Sequence, residues 1–93
     1  MKQVIWKFVL WIQDFQTINL PATYSILDVQ DQSGRLTLWA RVNPEMPHVP
    51  VGIRIYGTGE PFDEPFGRYI RTVQGAMGFV WHIYDEGPLC RKE

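Results

Sequence analysis

The sequence predicts an all-β domain of about seven short antiparallel strands, arranged as a small sandwich or a partly open barrel. Apolar residues recur at every second position through most of the chain, which is the period of a β-strand. Turn signals rich in Gly, Pro and Asp separate these runs at intervals of about ten residues. This spacing of short strands is typical of antiparallel sandwiches and barrels.

The first strand is apolar on both sides, with Val4, Trp6, Phe8 and Leu10 on one side. Ile5, Val9 and Trp11 lie on the other side, which Lys7 interrupts. Such a strand is either central in its sheet or covered by another subunit, and the second alternative predicts a homo-oligomer. The second and third strands are predicted over Gln16–Leu20 and Ser25–Gln30. Pro21 ends the second strand because proline cannot donate to a sheet ladder.

The fourth strand shows the clearest alternation of the chain. The run from Asp31 to Gly34 predicts a hairpin turn that leads into it. Its predicted inward residues are Leu36, Leu38, Ala40 and Val42, and its predicted outward residues are Arg35, Thr37, Trp39 and Arg41.

The second half of the chain predicts three further strands. Three prolines between Asn43 and Pro50 indicate an irregular loop. The fifth strand follows over Val51–Tyr56, with Val51, Ile53 and Ile55 inward. Arg68–Gln74 predicts a sixth strand, with a short helix as the alternative, and Phe79–Tyr84 predicts the seventh.

The bulk composition predicts one folded domain over residues 1–85 and a polar tail over residues 86–93. The chain has 93 residues, 45% hydrophobic and 20% charged, which argues against disorder. Its net charge is −1. General nucleic-acid binders and polybasic membrane binders depend on a strong positive charge, so we expect neither activity.

The segment from Arg54 to Pro61 is the best candidate for a binding site. Two glycines flank Thr58, so the backbone can turn sharply and leave the Gly59 amide open to a ligand. The segment lacks the lysine and the helix of a phosphate-binding P-loop, so nucleotide hydrolysis is not expected. Two alternatives stay open. Either the glycines serve only the turn, or the turn holds a small anion, such as a nucleotide phosphate, with Arg54, Arg68 and Arg71 nearby and Tyr56 stacking on a base.

Four outward residues form a second candidate surface, if the fourth and fifth strands pair as neighbours. They are Trp39, Arg41, Arg54 and Tyr56. Trp, Tyr and Arg dominate protein-binding hot spots. A second sheet or a subunit that covers this face is the alternative.

No catalytic residue, metal site or cofactor is predicted. His48 and His82 each stand alone, and no His or Cys pair has the spacing of a zinc site. The acidic residues Glu60, Asp63 and Glu64 are interpreted as a solvated turn. The single cysteine, Cys90, cannot form an internal disulfide, which suits a reducing cytosol. The first residues lack a signal-peptide pattern and no run is long enough for a membrane span, so we expect a soluble cytoplasmic protein.

Ordered fragments along the chain resemble a small phage and prophage protein family of unknown function. They are Ile5–Lys7, Gln16–Pro21, Ile26–Gln30, Leu38–Pro44, Arg54–Pro61, Tyr69–Gln74 and Phe79–Tyr84. The resemblance supplies no activity to transfer, but it implies action inside a bacterial cytoplasm. The expected function is therefore that of a non-enzymatic accessory or interaction protein that blocks a host protein. A small-ligand or nucleotide sponge that uses the Arg54–Gly59 turn is the first alternative, and an enzyme that uses His82 beside an acidic side chain is the second.

Overall fold

The computed structural model describes residues 2–63 and 67–89. These residues form seven β-strands and one short 3₁₀ turn, which confirms the predicted all-β class. The elements are β1 (Val4–Val9), β2 (Phe15–Pro21), β3 (Tyr24–Gln32), β4 (Arg35–Val42), β5 (His48–Gly57), β6 (Arg68–Gln74), the 3₁₀ turn Ala76–Gly78, and β7 (Val80–Pro88).

The strands make two antiparallel sheets that pack face to face as a sandwich and do not close into a barrel. One sheet has the order β1-β4-β3 and the other the order β2-β5-β7-β6. Every second residue of β4 and β5 points into the space between the sheets, as the alternation predicts. The buried core consists of Leu10, Ile18, Leu20, Val29, Leu36, Leu38, Ala40, Val42, Val51, Ile53, Ile55, Val73 and Ile83.

The hairpin predicted at Asp31–Gly34 joins β3 and β4, and its turn consists of the two residues between these strands. Ser33 and Gly34 both have positive φ, at 53° and 86°, as a type I′ turn requires. The Gly34 amide also donates to Asp31 Oδ1 at 2.8 Å. On β4, Thr37 lies on the outer face as predicted, yet it is buried because Val9 and Gln30 flank it in register on the two neighbouring strands.

The first strand is not central, which corrects one of the two predicted alternatives. β1 pairs only with β4 and lies at the edge of the three-stranded sheet. Trp6 and Phe8 turn inward against the core, whereas Ile5 and Val9 remain exposed on the outer face. The two-sided apolar pattern therefore marks an exposed edge within this chain.

The predicted bounds of β2 and β3 are short by one or two residues, and the largest differences are at the start of β5 and the end of β7. The predicted loop from Asn43 to Pro50 ends early, because β5 begins at His48 and pairs Pro50 with Asn19 of β2. The predicted polar tail begins too early, because β7 continues to Pro88. The polar residues after Tyr84 suggested a tail, but Asp85 and Glu86 form hydrogen bonds and an ion pair within the fold.

Local contacts explain the continuation of β7. Asp85 is buried and its Oδ1 accepts a hydrogen bond from the Gly87 amide at 2.7 Å. Gly87 has a φ of +79°, and the β5–β7 register shifts beside it. A glycine at such a bulge lets the strand bend and resume pairing. Residues 90–93, with Cys90, lie outside the described part of the chain, as does Glu64.

One side of the sandwich is closed by contacts between β3 and β6, which belong to different sheets. Arg71 of β6 forms an ion pair with Asp28 of β3 at 3.3 Å. Both strands carry a bulge at this side, between Ile26 and Asp28 and between Tyr69 and Arg71. Bulges bend an edge strand away from regular pairing. The side formed by β3 and β6 is therefore protected against the addition of another strand.

Stability is expected to fall as the pH rises above about 10 because of Tyr24 at the start of β3. Burial raises the pKa of the Tyr24 phenol and Asp85 raises it further, whereas Arg68 lowers it. An acid with a raised pKa in the folded state ionises first in the unfolded state. Its contribution to the free energy of unfolding is complete below the ordinary tyrosine pKa and is lost as the pH rises through the folded-state value.

Urea unfolding of the wild type and of Tyr24→Phe at about pH 8 and about pH 11 measures this contribution. We expect the free energy of unfolding to decline less between these two pH values in Tyr24→Phe than in the wild type, because phenylalanine has no proton to lose. An equal decline in both proteins would show that Tyr24 does not contribute to it.

Candidate functional site

The carboxylate of Glu60 stabilises the turn that follows β5. The Glu60 amide donates to the Gly57 carbonyl at 3.1 Å, and the Gly57 amide donates to Glu60 Oε1 at 2.7 Å. Gly59 has a φ of +88°, in the left-handed region that favours glycine. One of the amides at the predicted anion-binding turn is thus occupied by a negative side chain of the protein.

His82 connects this turn to two strands through a chain of hydrogen bonds. Its Nε2 lies 2.7 Å from Thr58 Oγ1, and its Nδ1 lies 3.0 Å from Thr72 Oγ1 of β6. Thr72 in turn shares a hydrogen bond of 2.6 Å with the Tyr69 hydroxyl. The register places His82 of β7 between Tyr56 of β5 and Thr72 of β6. Pairing across three elements therefore fixes the imidazole and occupies both of its nitrogens.

The contact between Thr58 and His82 has the distance of a nucleophile–base pair. In a catalytic triad a carboxylate holds the other imidazole nitrogen. Here the Thr72 hydroxyl takes that position. A hydroxyl orients the ring but supplies no negative charge to stabilise an imidazolium.

Four aromatic rings cluster beside His82 on the outer face of the four-stranded sheet. Tyr56 and Phe62 are stacked with ring centroids 3.8 Å apart. Tyr84 meets Tyr56 at an interplanar angle of 77° and Phe62 at 60°. Tyr69 packs against the other side of Tyr84, with centroids 5.6 Å apart.

The pKa of the Tyr56 phenol is raised, mainly by burial. The charge of Arg54 lowers this pKa, whereas Glu86, Tyr84 and Glu60 raise it.

The turn, His82 and the aromatic rings line a shallow cavity of about 240 Å³. Its side-chain walls come from Tyr56, Thr58, Glu60, Phe62, His82 and Tyr84. Glu60 is the one carboxylate among these residues, and none of them is a lysine or an arginine. The lining is therefore suited to a neutral or positively charged group rather than to an anion.

Arg54 shares the outer side of β5 with Tyr56, as the sequence predicts, but its charge is engaged elsewhere. Its Nε donates to Glu86 Oε2 at 2.9 Å, and its guanidinium lies 4.6 Å from the centroid of the Phe15 ring. The hydrogen bond to Glu86 raises the Arg54 pKa, with the Glu86 charge adding to the rise and desolvation opposing it. The predicted pairing of Arg54 with an anion at the turn would require it to leave Glu86.

The other predicted site residues lie elsewhere. β4 and β5 belong to different sheets, so Trp39 and Arg41 lie on the opposite outer face from Arg54 and Tyr56. The prediction of one surface formed by these four residues is wrong. Arg68 is exposed and pairs in register with Asp85 of β7, on the side of β6 opposite to the cavity of Tyr56 and Thr58. Among the predicted site residues, the structure brings together Tyr56, Thr58 and Gly59.

Sequence reasoning missed the residues that complete the cavity. Period-two alternation places His82 and Tyr84 on one side of β7, and this signal was visible. Phe62 follows Pro61 in a loop, where no periodic pattern indicates a direction for its ring. Thr72 carries no motif, and the bulge between Tyr69 and Arg71 shifts the alternation of β6.

Within residues 2–63 and 67–89, no group of three or more His, Cys, Asp or Glu side chains is placed to hold a metal ion. In the same part of the chain, no helix is both long and apolar enough to cross a bilayer.

Comparison with known proteins gives one match. Residues 1–89 match a family model with the description "Domain of unknown function (DUF7352)". No curated protein and no solved structure matches the chain.

Proposed function

The chain belongs to this family of unknown function, and from its own surfaces we propose that it is a non-enzymatic interaction protein that binds other proteins through the edge strand β1. The observation that carries this proposal is an apolar edge in a protein whose other edges are protected. Ile5 is 61% exposed, and in the connection that follows β1, Trp11 is 70% and Ile12 53% exposed. Exposed apolar side chains along an unpaired edge are typical of surfaces that bind a partner.

The other three edge strands carry features that oppose strand addition. β2 ends in Pro21, and β3 and β6 each carry a bulge and a charged residue of the Asp28–Arg71 ion pair. β1 has an uninterrupted register with β4, and its one charged residue, Lys7, lies near Gln32 with Nζ 3.4 Å from Oε1. Regular geometry leaves β1 as the edge most suited to pairing with another chain, and Lys7 is the one feature of this strand that opposes pairing.

The proposed partners are a second copy of the chain and a host protein. A second copy paired edge to edge with β1 would place its own strand beside Ile5 and Val9 and reduce the exposure of these side chains. The resemblance to small phage and prophage proteins supports a viral origin and action in the bacterial cytoplasm, where blocking a host defence protein is the proposed role. A small protein that acts by occupying a surface needs no catalytic group.

Light scattering on the purified protein tests self-association. We expect a dimer or a larger assembly, and we expect Ile5→Lys to shift it to the monomer, because a lysine on an edge strand is difficult to bury against a partner. Leu27→Lys is the matched control, since Leu27 is also exposed but lies on β3 at the opposite edge of the same sheet. A monomeric wild type would exclude the second copy as the partner.

Affinity capture from the bacterial host tests the second partner. Wild type and Ile5→Lys serve as baits, and proteins bound by the wild type alone depend on the β1 edge. Equal capture by both baits would refute binding through β1.

A second candidate function is small-ligand binding, which the cavity beside Gly57 and Phe62 favours. The carboxylate of Glu60 in its wall opposes the predicted nucleotide phosphate. Nucleotide binding at the Arg54–Pro61 segment is tested by thermal-shift measurements on the wild type and Arg54→Ala. If it occurs, nucleotides raise the Tm of the wild type but not that of the variant.

A further inference from the structure

The cavity beside β7 presents aromatic surfaces in two directions. The stacked pair of Tyr56 and Phe62 forms one wall, and Tyr84 crosses both rings at angles of 77° and 60°. Phe62 is 48% exposed, so part of its ring is open to solvent. The faces of aromatic rings carry partial negative charge and attract cations.

The formal charge at the cavity has the same sign as the aromatic faces. Glu60 lines it and forms no ion pair within the described part of the chain. The nearby charges of Arg54 and Glu86 compensate each other through their 2.9 Å contact. A cation entering the cavity is therefore attracted by one carboxylate and by the rings, whereas an anion is repelled by both.

The hydrogen-bonding groups of the cavity are largely engaged with one another. Thr58 and Thr72 occupy the two nitrogens of His82, and Glu60 Oε1 accepts from the Gly57 amide. A sugar or a nucleobase is recognised through several directional hydrogen bonds and would have to displace these contacts. A quaternary ammonium group donates no hydrogen bond and needs only apolar contact and negative potential.

We propose that this cavity binds a quaternary or fully methylated ammonium group, held against Tyr56, Phe62 and Tyr84 and attracted by Glu60. The ligand is either a small metabolite that carries such a group or a trimethylated lysine side chain. The site lies on the outer face of the four-stranded sheet, whereas β1 belongs to the other sheet. The two proposals can therefore fail independently.

Titration of the ¹⁵N-labelled protein with choline tests the proposal by NMR. We expect saturable shifts confined to the amides of residues 57–60, 62 and 82–84, with a Kd on the order of millimolar. The control ligand is 3,3-dimethylbutan-1-ol, which has the shape of choline but no charge. It should bind at least about fivefold more weakly, as the loss of a cation–π contact predicts.

Two variants distinguish the contribution of the Glu60 charge to choline binding from that of the aromatic surface. Glu60→Gln keeps an oxygen that can accept from the Gly57 amide but removes the charge, and it should weaken choline binding about fivefold. Glu45→Gln removes an equal charge from the exposed β4–β5 loop and should leave the Kd unchanged. Phe62→Leu keeps an apolar side chain without a π face and should also weaken binding.

The source of the ligand is distinguished by comparing choline with Nα-acetyl-Nε-trimethyl-lysine amide, and tighter binding of either supports the proposal. Equal affinity for choline and its uncharged analogue would overturn it, as would an unchanged Kd in Glu60→Gln. Shifts of the same amides by AMP but not by choline would show that the cavity binds anions instead.

Discussion

Leu38→Ala is expected to lower the free energy of unfolding by about 3 kcal/mol. Leu38 is fully buried, at 0% exposure, on the central strand of the three-stranded sheet. Phe8 and Val29 flank it in register on the two neighbouring strands. Removal of the isobutyl group leaves a cavity that these paired strands cannot collapse without losing their own packing.

Chemical denaturation with a fixed m-value measures this effect, and Tm should fall by more than about 10 °C. Leu27→Ala is the matched control because Leu27 is 46% exposed on β3. It should lower the free energy of unfolding by less than about 1 kcal/mol. Similar losses in the two variants would contradict the assignment of Leu38 to the core.

Gly67→Ala is expected to destabilise the protein by about 2 kcal/mol or more, because the new methyl group would clash with backbone atoms of β7. A Cβ at Gly67 would contact the carbonyl oxygen of Asp85 and stand 3.0 Å from the Glu86 Cα. Both atoms belong to β7, which is paired on both sides. Relief of the contact would require the strand to shift and would disturb the Arg54–Glu86 ion pair.

Gly57→Ala provides the comparison for this substitution. Its Cβ would lie 3.5 Å from Trp81 Cζ3, which is ordinary van der Waals contact. We expect its stability to stay within about 1 kcal/mol of the wild type. If urea denaturation gave the same midpoint for Gly67→Ala and the wild type, the close approach of Gly67 to β7 would be disproved.

The sequence predicts strands and their faces well because both depend on local alternation. The bounds of β4 and the inward direction of Leu36, Leu38 and Ala40 agree with the structure. Alternation gives the face of a residue but not the sheet to which its strand belongs. For this reason Trp39 was predicted beside Arg54, although they lie on opposite outer faces of the sandwich.

The candidate site was predicted in part, for the same physical reason. A local signal, two glycines around Thr58, indicated the turn. Its partner His82 is 24 residues away, and Glu86, which takes the charge of Arg54, is 32 residues away. Contacts across such separations depend on strand order, which one sequence does not contain. The sequence therefore indicated the turn at the site but not the distant residues, such as His82 and Tyr84, that complete the cavity around it.

The position of β7 has a consequence for how the protein is made. β7 follows the other six strands along the chain, yet it lies between β5 and β6. On the ribosome, β5 and β6 have no shared partner until residues 80–88 have left the exit tunnel. The four-stranded sheet is therefore completed after synthesis of the domain rather than during it, and the pairing of distant segments makes this step slow. A growing chain that stalls before residue 80 lacks Ile83 of the core and leaves one edge of β5 without its partner strand.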